Sequence, residues 1–277
     1  MACGEGIRKH FGMQYKDTTC IFGSVSIPRT MLLLDDVNTW PSSVVDIIES
    51  NKKACQDYLN AKEGIDTGAA KNISNPYNKQ WCGILSKLGI AINDLHVIGF
   101  HCTRLTDEEI ENIRSGGLEP LTPELIERRL SLLRQQNSIT KADYTFLLNN
   151  NRSNDDNRKG KVWFFLNSKT LTKESALCRL FRSWGGESIY WGKENDKRIE
   201  HIFKTGKPCI VLGELYVREL DLLQSVPSML VKIYLNQNMG IVIDADCCIT
   251  RRVTVVHIIQ HGEKLFEQLT GFSRWNL

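Results

Sequence analysis

The chain has 277 residues, of which 42% are hydrophobic, and it carries a formal net charge of +3. This length suffices for one large domain or two modest ones with a buried core. The charge is too small for the concentrated basic face of a typical nucleic-acid-binding protein, although local basic clusters occur. The nine cysteines lack the spacing of a zinc site or a disulfide framework, which favours a cytoplasmic location. No segment has the ~20 apolar residues of a membrane span, so we expect no membrane association.

The first part of the chain is predicted to be a mostly helical extension. Thr39-Trp40-Pro41 can start a helix, and apolar residues recur behind it at helical spacing. The polar residues 60–75 then lead to a second helix over residues 77–88, which Gly89 would end. We therefore expect two units, an extension over residues 1–92 and a second domain over residues 93–277.

Residues 95–121 predict a strand, a polar turn, a short helix and a glycine stop. The apolar run 95–100 is typical of a buried strand, and His101-Cys102-Thr103-Arg104 places hydrogen-bonding groups where that strand would end. Thr106 and Glu109 predict a capping box for the helix over 106–115. The polar cluster indicates either a binding site or a half-buried histidine that is hydrogen-bonded to a carbonyl.

The remaining chain predicts helices first and antiparallel strands late, which indicates an α+β fold. Residues 149–160 contain no apolar side chain and predict a mobile surface loop, either a lid or a tolerated insertion. Only three residues separate the last two predicted strands, which favours a hairpin. The predicted helices cover 125–133, 140–148, 172–184 and 196–204, and the predicted strands cover 162–166, 188–191, 209–217, 229–235, 240–249 and 253–260.

The segment His101-Cys102-Thr103-Arg104, with the helix and Gly117-Leu118 behind it, resembles the start of the catalytic domain in ADP-ribosyltransferases. In the diphtheria-toxin-like and poly(ADP-ribose)-polymerase-like families, a His-Gly-Ser/Thr-Arg strand is followed by a short helix and a Gly-Leu turn. The resemblance implies a split β-sheet core with inserted helices, and NAD as the substrate. Cys102 departs from the pattern, because the family usually has glycine where the backbone approaches the nicotinamide.

The resemblance also implies a role for each residue of this segment. His101 would bond the adenosine ribose, Thr103 would meet the nicotinamide amide, and Arg104 would support the phosphate side, with Cys102 beside the nicotinamide. Cleavage of the bond between nicotinamide and ribose passes through an oxocarbenium-like transition state, which a nearby negative charge stabilises. The family supplies an aromatic or hydroxyl residue on the second strand and a glutamate at the start of a later strand.

Two registers for these later residues remain open. In the first, residues 160–165 form the second strand with Phe164 as an aromatic contact, and Glu187 opens the later strand. Tyr190 would then lie beside this acid, and Arg182 could contact a phosphate. We favour this register because Gly185-Gly186 lets a ligand approach closely. The alternative is that Gly185-Gly186 only ends a helix, that Glu187 is exposed and that Tyr190 is a core residue.

In the second register, residues 186–191 are themselves the aromatic strand. The acid position then falls on Met239, whose thioether cannot stabilise a cation, and Glu214 is the nearby carboxylate that could replace it. This register would favour a catalytically inactive binding module.

The resemblance therefore implies an NAD-dependent ADP-ribosyltransferase that modifies an intracellular macromolecule, either RNA or DNA or a protein. Compact members of this kind resemble toxins or phage-defence effectors, for which an antitoxin or inhibitor protein would be a partner. An RNA 2′-phosphotransferase-like enzyme of the same fold is an alternative, and it should have more arginines near the first strands. No metal is expected, because His257, His261 and Cys247-Cys248 are not spaced as zinc ligands.

Overall fold

The computed structural model describes residues 18–66, 75–193, 196–197, 200–222, 225–236, 243 and 245–272. In this part of the chain, helices are mixed with an open, mostly antiparallel sheet, and a small hairpin lies outside it. The strands are β1 (Thr18–Ile21), β2 (Val25–Pro28), β3 (Met31–Leu32), β4 (His96–Leu105), β5 (Val162–Phe165), β6 (Lys207–Tyr216), β7 (Asp221–Leu222), β8 (Asp246–Ile249) and β9 (Thr254–Gln260). The helices are α1 (Ser42–Ser50), α2 (Lys52–Asp66), α3 (Asn78–Ile92), α4 (Asp107–Gly116), α5 (Pro123–Gln135), α6 (Lys141–Asn149), α7 (Glu174–Arg182), α8 (Glu187–Tyr190), α9 (Glu200–Phe203), α10 (Val226–Leu235) and α11 (Lys264–Thr270). None of the helices in these ranges is both long enough and apolar enough to cross a bilayer.

The described strands of the main sheet follow the order β7-β8-β5-β4-β6-β9, and β3 pairs in parallel with the start of β4. Strands β4 and β6 pair along the whole of β4, from His96 opposite Tyr216 to Leu105 opposite Lys207. By contrast, β4 meets β5 only where Phe100 lies opposite Phe165. The two strands therefore separate beyond Phe100, and the sheet is split along the second half of β4.

Successive side chains of β4 point to opposite faces of the sheet, and each face has its own core. Val97 belongs to a core shared with α1, α3 and α10, whereas Phe100 and Cys102 belong to a core shared with the β1–β2 hairpin, α7 and α11. A third core lies between α5, α6, α8 and α9. Strand β3 and the N-terminal helices thus pack on the same sheet as the later residues, and the division at residue 92 stays a prediction.

Local signals located the helix starts of the middle region correctly. The predicted capping box of α4 is present, because the Thr106 hydroxyl accepts from the Glu109 amide and the Glu109 carboxylate accepts from the Thr106 amide. Thr140, the first residue of the predicted helix 140–148, caps α6, with Asp143 as its reciprocal partner. The predicted helices at α5 and α7 and the predicted strands at β5, β6 and β9 are also confirmed. The single helix predicted behind Thr39-Trp40-Pro41 is divided at Asn51 into α1 and α2, and α2 continues to Asp66, into the segment 60–75 predicted to be a polar connector.

Strand β4 is longer than predicted. It continues from Phe100 to Leu105, so the cluster from His101 to Arg104 lies inside the strand and not after it. The reason is tertiary, because β6 supplies a partner for every residue of the cluster.

Two predicted strands are helices. Residues 188–191 were predicted as a strand, but Glu187–Tyr190 is the short helix α8, because Gly185 and Gly186 both have positive φ and redirect the chain. Residues 229–235 were also predicted as a strand, but they belong to α10, which has a proline in its first turn and buries Val226 and Leu230 on one face. A short apolar run fits both the two-residue period of a strand and the 3.6-residue period of a helix, so this error is expected.

The predicted hairpin between the last two strands is wrong. Strand β8 pairs with β5 and β7, whereas β9 pairs with β6 at the other side of the sheet. The connection is held instead by Leu118, whose amide and carbonyl both bond to Val253. The start of the predicted strand 240–249 lies outside the described residues.

Helix lengths also differ where packing outweighs local signals. Helix α3 runs through Gly89 to Ile92, because Leu88 and Ile92 are both buried. Only Glu200–Phe203 of the predicted helix 196–204 is helical in the described part of the chain.

Candidate functional site

A cavity of about 510 Å³ lies where β4 and β5 separate. Its walls come from the second half of β4, from α4 and α5, from β5 and from the start of α8. This volume is in the range of small-molecule sites, about 300–1,000 Å³. The charged residues of its lining are Glu109, Glu119, Arg128, Arg129, Arg158, Lys161, Glu187 and Asp246.

His101 is half-buried in the wall, and its ring closes the gap between the two separating strands. Its Nδ1 lies 2.9 Å from the Trp163 carbonyl oxygen. Since a carbonyl only accepts, Nδ1 carries the proton and Nε2 is left as an acceptor. Burial lowers the pKa of His101, the Trp163 carbonyl opposes this shift, and the positive charge of Arg129 adds to it. The imidazole is therefore neutral at pH 7.

Thr103 and Cys102 border the same cavity in different ways. Thr103 is buried, and its hydroxyl has no hydrogen-bond partner among the described residues. Cys102 is buried in the core that contains Phe100, and burial raises the pKa of its thiol far above the usual range. The thiol is thus protonated and is no nucleophile, whereas the Thr103 hydroxyl can bond a ligand.

Phe164 forms part of the cavity wall, and two glycines make room for its ring. Gly99 and Gly213 face each other across β4 and β6. A Cβ on Gly213 would lie 2.8 Å from the Phe164 ring, and one on Gly99 would lie 2.9 Å from it. The ring meets His101 edge-on, with a centroid distance of 5.8 Å. The glycine pair therefore positions Phe164 against the histidine.

A buried ion pair supports the wall opposite β5. Arg129 Nε donates to Glu109 Oε1 at 2.6 Å, and Trp184 Nε1 donates to Glu109 Oε2 at 3.0 Å. The Arg129 guanidinium also lies 4.7 Å from the centre of the Trp184 ring. Burial opposes ionisation of Glu109, but Arg129 and the hydrogen bonds from Thr106 and Trp184 outweigh it and lower its pKa. Arg129 Nη2 is buried without a partner in the described structure, so a donor remains for a ligand.

Glu187 lines the cavity, but it begins α8 and does not open a strand as predicted. Its Oε2 lies 2.5 Å from Arg158 Nη2. Arg158 belongs to the loop 149–160, which was predicted to be mobile and without an anchor. This loop is held by polar contacts instead, since the Arg152 amide bonds to the Ser188 carbonyl and Ser153 is buried.

Asp246 is a further acid in the lining, and it is not among the site residues predicted from the sequence. It is the first residue of β8 and lies opposite Phe165 of β5. A single strand over 240–249 is predicted from the sequence, and only the second register places the acid position before it, at Met239. Residues 237–242 lie outside the described residues. A carboxylate directly before the buried pair Cys247-Cys248 was the signal that could have located the strand start.

Several residues predicted for the site lie elsewhere. Arg104 donates to the carbonyls of Thr205, Phe181 and Lys204, so its guanidinium is used within the fold. Arg182 is exposed at the end of α7 and does not line the cavity.

Two further candidates lie away from the cavity. Tyr190 is buried in the core with α5 and α6, because α8 turns its ring inward. Glu214, the alternative acid, pairs with His96. Neither of them lines the cavity.

The described residues bring together no group of three or more histidine, cysteine, aspartate or glutamate side chains that could hold a metal ion. Comparisons of the chain with known family models, with curated proteins and with solved structures found no match.

Proposed function

We propose that the chain is an NAD-dependent ADP-ribosyltransferase that binds NAD in the cavity between β4 and β5 and modifies RNA, DNA or a protein. The observation that carries this proposal is a neutral His101 with a free Nε2 acceptor, in one cavity with the carboxylates of Glu187 and Asp246. A sugar hydroxyl needs such an acceptor, and a developing sugar cation needs such a charge.

The β4 residues would bind the two ends of NAD. His101 Nε2 would accept from a hydroxyl of the adenosine ribose, and the Thr103 hydroxyl would bond the nicotinamide amide. Phe164 would give the nicotinamide ring a flat apolar contact.

Asp246 is the carboxylate that we favour for the charge on the reacting ribose. It opens a late strand, as the acid of the transferase families does. Glu187 begins the helix α8 and pairs with the Arg158 guanidinium. Glu187 would then position Arg158, and Asp246 would act on the transition state.

The buried arginines would meet the phosphates of NAD. Arg129 Nη2 and Arg158 Nε are both buried and without partners in the described part of the chain. Buried donors are seldom left unpaired, and a phosphate oxygen forms strong charge-assisted hydrogen bonds with a guanidinium. Arg104 and Arg182 would have no part in this contact.

An RNA 2′-phosphotransferase-like activity is the second candidate. It is favoured by the three arginines of the lining, Arg128, Arg129 and Arg158, which could hold a 2′-phosphate together with NAD. A toxin or defence effector with an inhibitor protein as its partner is compatible with either activity.

The test is incubation of the purified chain with labelled NAD and separate pools of protein, RNA and DNA. Label in one pool supports ADP-ribosyl transfer and identifies the acceptor. A cyclic phosphate product from 2′-phosphorylated RNA supports the phosphotransferase. Absence of nicotinamide release under all conditions would refute both and leave an inactive binding module.

Variants then assign the acid. We expect His101→Ala and Asp246→Asn each to reduce turnover at least about 100-fold, the scale of a lost electrostatic contact in an active site. Glu187→Gln should reduce it less and raise the KM for NAD, because it releases Arg158. Glu111→Gln, an exposed carboxylate of α4, is the matched control. An inactive Glu187→Gln variant together with an active Asp246→Asn variant would show that Glu187, and not Asp246, is the catalytic acid.

A further inference from the structure

Two exposed tryptophans flank the loop that borders the cavity. Trp163 is 46% exposed and Trp191 is 42% exposed, whereas Trp40, Trp81 and Trp184 are buried. An exposed indole contributes little to the core, and tryptophan is the residue most often used as an anchor in recognition.

Each indole contacts one residue of the dipeptide Asn157-Arg158. Trp163 Nε1 donates to the Asn157 carbonyl at 3.1 Å, which holds that ring by its edge. The Arg158 guanidinium lies 5.4 Å from the centre of the Trp191 ring, and the Arg152 guanidinium lies 5.6 Å from it. Both rings are thus oriented by polar neighbours, although neither is buried in a core.

The same rim carries an excess of positive charge. The segment 150–161 contains four basic and two acidic residues. Arg152 and Arg158 pair with Asp155, but Lys159 and Lys161 form no ion pair with any described residue. The Lys161 ammonium lies 5.9 Å from the centre of the Trp163 ring, so a free cation stands beside an exposed aromatic face.

We propose that Trp163, Trp191, Lys159 and Lys161 form a binding platform for single-stranded nucleic acid, with bases stacked on the indoles and phosphates near the lysines. Single-strand-binding surfaces combine these two features, because every base has a flat face and every nucleotide has a negative charge. An acidic peptide would use the lysines but has no need of two flat rings. A duplex would offer its phosphates while its bases stay stacked on each other.

The platform is continuous with the cavity, since Arg158, Lys161 and Trp163 also contribute to the cavity lining. A single strand bound along the rim would therefore present a nucleotide to the site. This step rests on the proposed function, for which it selects single-stranded RNA or DNA as the acceptor. The binding itself does not depend on that function.

The test measures binding without NAD, so it can fail while transfer succeeds and can succeed while transfer fails. Fluorescein-labelled single strands of RNA and DNA of about twelve nucleotides are titrated with the protein and followed by anisotropy. We expect Trp163→Leu and Trp191→Leu each to weaken binding by about fivefold or more, the lower end of a lost stacking contact. Tyr77→Leu, which removes an exposed aromatic of the N-terminal part, is the matched control and should bind as the unmodified chain.

A second readout separates stacking from charge. Lys159→Met with Lys161→Met should flatten the dependence of log affinity on log salt by about 1.4, since each phosphate contact to a single strand contributes about 0.7. Absence of single-strand binding would overturn the proposal. So would a Trp191→Leu variant that binds as the unmodified chain, or equal binding of heparin or an acidic peptide with the same dependence on both tryptophans. Urea unfolding verifies that each variant is folded. If Trp163→Leu is not folded, the binding affinity of Trp191→Leu decides the test.

Discussion

Replacement of Glu109 by alanine tests whether its buried ion pair with Arg129, in the cavity wall, stabilises the fold beyond the capping role of Glu109. The carboxylate accepts from the Thr106 amide at 2.8 Å, from Arg129 Nε at 2.6 Å and from Trp184 Nε1 at 3.0 Å. Loss of one partner of a buried pair costs about 3–5 kcal/mol, because the other charge stays buried without compensation. We therefore expect Glu109→Ala to lower the free energy of unfolding by about 3–5 kcal/mol.

The second capping box provides the matched control. Asp143 has the same position in α6 that Glu109 has in α4, and it accepts from the Thr140 amide at 2.9 Å. Its ionic partner is His201, whose side chain is half exposed. Asp143→Ala should therefore cost only about 1 kcal/mol, the usual value of a cap. The difference between the two variants isolates the contribution of Arg129 and Trp184.

Urea unfolding followed by far-UV circular dichroism measures both variants. Because the folded-state pKa of Glu109 is lowered, its stabilisation is complete above the unfolded pKa, about 4.3, and is lost as the pH falls through the folded value. The deficit of Glu109→Ala should thus shrink in acid. If Glu109→Ala and Asp143→Ala differ by less than about 0.5 kcal/mol near pH 7, the buried pair adds nothing to the cap and our reasoning is refuted.

Three further outcomes are expected. Gly213→Ala should cost about 1–3 kcal/mol in urea unfolding, because the new Cβ would lie 2.8 Å from the Phe164 ring; an unchanged midpoint would show that the ring moves freely. Arg104→Met should cost at least about 2 kcal/mol, since three main-chain carbonyls lose a charged donor, yet its NAD affinity by calorimetry should match that of the unmodified chain. The pKa of His101 is lowered by burial, so the unfolded chain takes up a proton that the folded chain resists, and stability falls as the pH drops below about 6.5. His101→Gln should lack this component between about pH 7.5 and pH 5.5, and an equal loss of stability in both proteins would contradict a neutral buried histidine.

Helix caps, whose two residues lie within one helical turn of each other, were predictable from the sequence. The capping boxes of α4 and α6 require only two residues that are three positions apart, so no tertiary information enters. The polar run from His101 to Thr103 was recognisable as a candidate site because its residues are adjacent in the sequence. Its position inside β4 was not predictable, because the extension of β4 to Leu105 depends on β6, which follows about a hundred residues later.

The roles of individual charged residues were less predictable. Arg104 follows His101 and Thr103 in the same strand, and the alternation of side chains sends it to the other face, where it binds carbonyls of distant loops. Arg129 gave no local signal, since a basic residue on an amphipathic helix is usually solvated. Only the tertiary structure brings Arg129 of α5 to Glu109 of α4 and near His101.

From the order of its residues alone, this chain determines the starts of α4, α5 and α6, the strands β5, β6 and β9 and the polar cluster on β4, because these depend on neighbours a few positions apart. Only the tertiary structure decided that β8 pairs with β5 and not with β9, that β4 and β5 separate after Phe100, and that Asp246 joins His101 and Glu187 at the resulting cavity. Strand pairing joins residues far apart in the chain, and its outcome depends on which faces can be buried together. No local pattern of side chains contains that information.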